Sequence, residues 1–129
     1  MLIIAVIFST AALSRGEQKL TEAYFSPRKG PEVFERMYKE ISEADKFVHI
    51  SIYSWSDGKI KDSLVQAAKN GADVRVLLMR KLYDTKTKVQ GYVKEIEDAG
   101  GEVKIAGHFA AGDMHEKMII IDNKIVINS

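Results

Sequence analysis

The sequence has no cysteine among its 129 residues, only two prolines, and almost no excess of either charge. The lack of cysteine excludes disulfides, thiolate nucleophiles and cysteine-ligated metal centres. Nineteen Lys and Arg residues against 18 Asp and Glu residues leave a net charge of +1, so any affinity for phosphate must be local. Hydrophobic residues at 46% and charged residues at 29% are typical of a folded protein, and the length predicts one small domain.

Long hydrophobic runs are also scarce, and the longest extends from Leu2 to Leu13 and ends before Arg15. The run is too short for an ordinary transmembrane helix and is typical of a signal peptide, although no basic residue precedes it. We therefore expect residues 1–15 to be a leader, and the protein to be exported to the periplasm or the medium. The alternatives are an uncleaved membrane anchor, and a first strand or helix packed on the domain.

Residues 20–129 alternate between strand and helix patterns. Strands are predicted at residues 22–25, 47–53, 73–79 and 103–106, and helices at residues 31–44 and 57–70, with a third helix ending at Gly100 and Gly101. The first helix is expected to face inward through Val33, Phe34, Met37, Tyr38 and Ile41. The strand at residues 47–53 is expected to have both faces covered. This order predicts an α/β fold with a mainly parallel sheet flanked by helices.

The chain ends in a predicted β-hairpin, whose arms are residues 115–122 and 124–128. Its first arm carries His115, Lys117 and Asp122 in the pattern H-x-K-x-x-x-x-D. His115 and Lys117 share a face of the strand, about 7 Å apart, and can straddle one phosphate. A neutral imidazole can attack phosphorus, and an ammonium group can neutralise the charge of the transition state. The four apolar residues from Met118 to Ile121 are expected to anchor the strand.

Asp122 differs from the other two residues of the pattern. Strand alternation puts it on the opposite face from His115 and at the other end of the strand, so it cannot orient that histidine directly. We therefore assign Asp122 to the hairpin turn, where its carboxylate can accept backbone N–H groups or pair with a basic side chain.

Other candidate residues have structural interpretations. His49, between two β-branched residues, is interpreted as structural. His108, Asp113 and His115 match no familiar metal-ligand spacing, so no metal or other cofactor is predicted. The basic residues of the loop predicted at residues 80–88 are interpreted as a solvated run, or as the rim of a phosphate site; they are Arg80, Lys81, Lys86 and Lys88. Tyr53 and Trp55 are interpreted as core residues, with stacking on a nucleobase as the alternative.

The motif and its surroundings resemble the phospholipase D superfamily, in particular the small branch that carries one such motif and includes bacterial periplasmic endonucleases. The resemblance begins at YFSP, continues through ISIYSWSD and AAKNGADVRVLL, and ends with HEKMIIIDNKIVINS. It implies a metal-independent phosphodiesterase that acts through a phosphohistidine at His115, with Lys117 as a phosphate ligand and His115, Lys117 and Asp122 as the catalytic motif. It also implies a homodimer, in which His115 of the second copy protonates the leaving group.

The chain departs from the family pattern at its C-terminal end. Ser129 lies where the family has a glycine or serine of the phosphate cradle, while the asparagine and the carboxylate that follow have no counterpart. We therefore expect residues 20–129 to be a domain that is incomplete at its C-terminus. The favoured function is an endonuclease on DNA or RNA. The alternatives are a phospholipase D or cardiolipin hydrolase that contacts the membrane through its N-terminal segment, and a noncatalytic module that binds nucleic acid or a partner.

Overall fold

The computed structural model describes residues 30–107 and 117–128, which form four helices and five strands. In chain order these elements are α1 (Gly30–Ser42), β1 (Phe47–Ile52), α2 (Gly58–Lys69), β2 (Asp73–Met79), α3 (Arg80–Thr85), α4 (Thr87–Asp98), β3 (Glu102–Ala106), β4 (Met118–Ile121) and β5 (Ile125–Asn128). The predictions for the leader and for a strand at residues 22–25 lie outside the described residues.

The strands form one sheet in the order β3-β2-β1-β4-β5. β1, β2 and β3 run parallel, as expected for strands joined by helical crossovers, whereas β4 is antiparallel to both β1 and β5. The predicted α/β class and the terminal hairpin are therefore confirmed, within a sheet that is mixed. The hairpin pairs through β4 with the central strand β1, which brings the motif strand into the middle of the sheet.

One face of the sheet forms the hydrophobic core with the helices. Alternate strand residues such as Val48, Ile50 and Leu78 are buried there, together with Ile41 of α1, and α2 and α4 contribute to the same cluster. The opposite face is partly open, since Leu77 and Val126 are 40% and 37% exposed. The prediction that residues 47–53 would be covered on both faces is thus confirmed for one face only, and the observed burial alternates along β1.

Local signals in the sequence set several helix boundaries. The carboxylate of Asp57 accepts a hydrogen bond of 2.8 Å from the backbone N–H of Lys59 and so caps α2, as predicted. Gly71, which follows this helix, has the left-handed φ of +94° that the prediction required. In α1 the predicted inward face is wrong at Phe34, which is 41% exposed and stacks on Tyr38.

The basic loop predicted at residues 80–88 is instead mostly helical. α3 begins directly after β2 and has no side-chain cap at its start, and α4 begins at Thr87 after a break at Lys86. The prediction failed because α3 is short and buries no residue fully, so the sequence shows no apolar period there. No helix within the described ranges is both long and apolar enough to cross a membrane.

Candidate active site

Lys117 lies at the edge of the sheet where the parallel strands end. It directly precedes Met118, the first residue of β4, and Met118 pairs with Ser51 near the carboxyl end of β1. Because β4 is antiparallel to β1, the start of β4 and the ends of the parallel strands meet at this edge. Ligands of open α/β sheets commonly bind outside the carboxyl ends of the strands. The motif lysine is therefore at the edge where a substrate site is expected.

The strand that follows Lys117 is held firmly. β4 lies between β1 and β5, and both neighbours contribute backbone hydrogen bonds. Ile119 and Ile121 are buried, at 6% and 2% exposure, on the face that packs against the helices. The prediction that the apolar residues of HEKMIIID anchor this strand is confirmed by this pairing and burial. A strand fixed on both sides positions a side chain at its start more precisely than a loop would.

Asp122 lies at the opposite end of β4, in a tight turn. Asp122 and Asn123 have positive φ values of 52° and 56°, and the N–H of Lys124 donates to the carbonyl oxygen of Ile121 over 2.9 Å. Two consecutive left-handed residues between antiparallel strands define a type I′ hairpin turn, which favours Asn and Asp. The structure thus agrees with the assignment of Asp122 to the turn.

The carboxylate of Asp122 binds the start of β1 through three backbone hydrogen bonds. The N–H groups of Asp45, Lys46 and Phe47 donate to it over 2.8, 2.7 and 2.9 Å. Partial burial acts to raise the pKa of Asp122, but these hydrogen bonds and the charge of Lys124 outweigh that effect and hold the pKa below its ordinary value. Asp122 therefore joins the hairpin to the central strand at the edge opposite Lys117.

His115 and Ser129 lie outside the described residues, as do His108 and Asp113. The pairing of His115 with Lys117 and the phosphate contact of Ser129 therefore stay predictions. Among residues 30–107 and 117–128, no cluster of three or more acidic or histidine side chains could hold a metal ion.

The loop after β1, residues 53–57, is fixed by contacts that the sequence did not reveal. Trp55 is 4% exposed, packs on Tyr92 with ring centroids 5.4 Å apart, and donates its indole N–H to the carbonyl oxygen of Asp57 over 2.9 Å. The hydroxyl of Tyr38 donates a short hydrogen bond to the carboxylate of Asp57. The core interpretation of Trp55 is confirmed, since a buried indole cannot stack on a base. The loop leaves Ser54 and Ser56 exposed at the carboxyl edge.

The basic residues interpreted as a solvated run, or as the rim of a phosphate site, have different surroundings. Arg80 pairs with Asp84 over 3.7 Å within α3. Lys88 instead approaches the carbonyl oxygen of Ser56, with its Nζ at 3.4 Å, and lies over the ring of Tyr92 at 5.4 Å from the centroid. Lys88 is therefore beside the loop that follows β1, whereas the charge of Arg80 is balanced locally.

His49 lies on the open face of the sheet, in the middle of β1. Its ring packs on Phe47 with centroids 4.5 Å apart, and its Nε2 is 3.7 Å from the carboxylate of Asp73. That separation is too long for a hydrogen bond, so Nε2 has no hydrogen-bond partner among the described residues. Its neighbour across the pair is Ile120, well inside β4, so His49 is not at the edge that carries Lys117.

Comparison with known proteins agrees with this arrangement. The family model described as "Cardiolipin synthase, PLD-like domain" matches residues 37–129, which is most of the chain. The chain belongs to the phospholipase D superfamily. It is 34% identical over 83 residues to the major cardiolipin synthase of Bacillus subtilis, covering 59% of this chain and 16% of that protein. It is 29% identical over 120 residues to a phospholipase D of Rickettsia prowazekii, covering 93% of this chain and 54% of that one.

Two solved structures share the fold of this superfamily member. NucT from Helicobacter pylori superposes with a TM-score of 0.70 at 24% identity, over 80% of this chain and 68% of NucT. Nuc from Salmonella typhimurium, described as a phospholipase D family member, gives a TM-score of 0.63 at 26% identity, over 76% of this chain and 61% of Nuc. The chain spans about half the length, or less, of the two curated relatives above.

Proposed function

We propose that this chain is the phosphodiesterase domain of a metal-independent nuclease that acts through a phosphohistidine at His115. The observation that supports the proposal best is the position of Lys117. It directly precedes β4, which is hydrogen-bonded to a strand on each side, and it lies at the carboxyl edge of the parallel strands. Membership of the phospholipase D superfamily supports phosphodiester chemistry for the same motif. One cationic side chain at this edge suits a phosphate group that gains negative charge during reaction.

In the proposed reaction an imidazole nitrogen of His115 attacks the phosphorus atom. A phosphorus–nitrogen bond forms as the bond to the leaving oxygen breaks, and the leaving oxygen takes a proton from a general acid. Water then attacks phosphorus and gives a proton to the group that acted as the acid, the phosphorus–nitrogen bond breaks, and the histidine is released as neutral imidazole. Lys117 neutralises the nonbridging oxygens in both steps, and Ser129 donates a hydrogen bond to the same phosphate.

The general acid in this proposal is His115 of a second copy of the chain. A single copy of the motif supplies one histidine, whereas the reaction uses one histidine as nucleophile and another as acid. A twofold axis through the site would bring the two motifs together, so the active form is proposed to be a homodimer. Its mass in solution, measured by light scattering, tests this part separately.

A lipid phosphodiesterase is the second candidate. Lipid substrates are favoured by the family model, which is described as a cardiolipin synthase domain, and by the relatives named cardiolipin synthase and phospholipase D. Nucleic acid is preferred because the carboxyl edge carries Lys88 and the exposed Lys81 of α3 in addition to Lys117, and several cations suit a chain of phosphates. Export through residues 1–15 also remains a proposal, tested by the N-terminal sequence of the protein recovered from the periplasm or medium.

The test is cleavage of a labelled oligonucleotide and of plasmid DNA in EDTA. The wild-type protein should cleave in the absence of metal, and His115→Ala should lose that cleavage. His49→Ala is the matched control, because it removes a histidine from the open face and should retain activity. If wild type and His115→Ala are equally inactive on nucleic acid, the nuclease proposal fails. Release of phosphatidic acid from phosphatidylglycerol vesicles by the same proteins would then support the lipid candidate, and inactivity on both would support a binding module.

A further inference from the structure

Lys88 is an exposed cation of α4 that the motif does not include. Its Nζ is 3.4 Å from the carbonyl oxygen of Ser56 and 5.4 Å from the centroid of the Tyr92 ring. No carboxylate among the described residues lies within ion-pair distance of it. Lys61 and Lys94, by contrast, each bind carboxylates directly, Lys61 to Glu95 and Lys94 to the acid one turn further along α4. The charge of Lys88 is therefore available to an external anion.

The surface beneath Lys88 is rigid. Tyr92 is 7% exposed and packs on the buried Trp55. Gly58 approaches so closely that an added Cβ would lie 3.2 Å from the Tyr92 hydroxyl oxygen, which leaves the ring little room to move. A cation over a fixed aromatic face loses less conformational freedom on binding an anion than a lysine on an open helix surface.

Lys88 and Lys117 both lie at the carboxyl edge of β1. Ser56, which Lys88 approaches, belongs to the loop that follows this strand. Lys117 precedes Met118, whose partner Ser51 is near the end of the same strand. Ser54 and Ser56 are exposed in the same loop. This edge therefore carries both cations, with exposed serine side chains in the loop that ends β1.

We infer that Lys88 binds a phosphate of a nucleic-acid strand next to the phosphate that is cleaved, and so helps to select a polynucleotide over a single headgroup. The inference rests on the proposed function, because it takes Lys117 as the ligand of the scissile phosphate. A polynucleotide has a neighbouring phosphate at every nucleotide, and each lysine that neutralises one adds to the salt dependence of binding. Lys88 acts in binding and takes no part in proton or group transfer.

The experiment measures binding of a fluorescein-labelled single-stranded oligonucleotide, on the order of 12 nucleotides, by fluorescence anisotropy at several salt concentrations. All variants carry His115→Ala so that the probe stays intact. Lys88→Gln should make the plot of log binding constant against log salt concentration less steep by about 0.7. Over one decade of salt this difference amounts to about fivefold, so we expect about fivefold weaker binding at 0.1 M salt. Lys88→Arg should restore the slope. Lys94→Gln, on the same helix and already paired with Asp98, is the matched control and should not change it.

Equal slopes for Lys88→Gln and Lys94→Gln would overturn the inference, and so would an unchanged KM for cleavage by Lys88→Gln. The proposed function is tested by a separate result. If His115→Ala abolishes cleavage while the two lysine variants behave alike, the nuclease assignment stands and only the role of Lys88 fails. If no oligonucleotide binds while phosphatidylglycerol vesicles are hydrolysed, both proposals for nucleic acid fail together.

Discussion

At one end of β4, Asp122 accepts three backbone hydrogen bonds and its pKa is lowered, whereas at the other end Lys117 directly precedes the strand at the carboxyl edge of the sheet. The hydrogen-bonding capacity of Asp122 is used within the fold, whereas we propose that the charge of Lys117 binds a phosphate. The fold therefore places the two residues of this motif at opposite ends of one strand, and we propose that they have different roles. Substitution of Lys117 should therefore lower the reaction rate, whereas substitution of Asp122 should lower the free energy of unfolding.

The largest effect is expected from Lys117→Ala. Removing the cation that neutralises the transition state should lower kcat about 100-fold to 1,000-fold, the usual cost of losing one such group. The free energy of unfolding should change by no more than ~0.5 kcal/mol, because the strand itself is pinned by β1 and β5. Steady-state cleavage and urea unfolding of the same preparation check both values. A stability loss that explains the activity loss would contradict the comparison.

Asp122→Ala should act mainly on stability. Three backbone N–H groups lose a charged acceptor, and alanine must adopt the φ of 52° that aspartate tolerates better. Allowing for partial exposure, we expect a loss of about 2 to 3 kcal/mol in the free energy of unfolding. Asp122→Asn is the matched variant, since its amide oxygen can still accept and Asn suits the left-handed turn, so its loss should be about half as large. Equal losses of unfolding free energy in the two variants would show that hydrogen bonds accepted by the side chain at position 122 do not stabilise the fold.

The pH dependence of the free energy of unfolding should reflect the ionisation of the Asp122 carboxylate. Because the pKa of Asp122 is lower in the folded state than in the unfolded chain, its ionised form stabilises the fold above the unfolded value of about 3.9. That contribution should disappear as the pH falls from this value through the folded pKa. Urea unfolding of wild type and Asp122→Asn between neutral and acidic pH should show a smaller fall for the variant. A parallel fall in both proteins would exclude Asp122 as the source.

A smaller effect on stability is expected from loss of the hydrogen bond between Tyr38 and Asp57, which holds the loop at the carboxyl end of β1. Burial raises the pKa of Tyr38, and the hydrogen bond to Asp57 raises it further. Tyr38→Phe removes that bond while Asp57 keeps its cap on α2, so the unfolding free energy should fall by about 1 kcal/mol. Phe34→Leu, in the same helix and 41% exposed, keeps the bond between Tyr38 and Asp57; it is the control and should lower the unfolding free energy by no more than ~0.5 kcal/mol. An equal loss of unfolding free energy in Phe34→Leu would show that the hydrogen bond between Tyr38 and Asp57 is not the cause.

Local patterns in the sequence predicted the fold class and part of the site. The capping carboxylate of Asp57, the glycine at position 71 and the alternation in HEKMIIID are short-range signals, and each is found in the structure. Alternation also separated Asp122 from the chemical end of the motif. These features could be predicted because the residues that determine them lie within one turn or one strand.

The features that were missed depend on contacts between distant parts of the chain. The donors to Asp122 are at residues 45–47, and no local pattern connects them with position 122. The bond between Tyr38 and Asp57 joins α1 to the cap of α2. Lys88 was predicted in a loop, as part of a solvated run or of the rim of a phosphate site, and its contacts with Tyr92 and Ser56 beside the end of β1 had no signal in the sequence.

The division of the motif is tested most directly by trapping the covalent intermediate. Wild type, His115→Ala, Lys117→Ala and Asp122→Asn are mixed with a short oligonucleotide, quenched rapidly, and analysed by intact mass under conditions in which circular dichroism shows all four to be folded. Wild type and Asp122→Asn should form a phosphonucleotide adduct on His115 at similar rates, Lys117→Ala should form it far more slowly, and His115→Ala should form none. A folded Asp122→Asn protein that forms no adduct would contradict the account, because Asp122 would then belong to the chemistry.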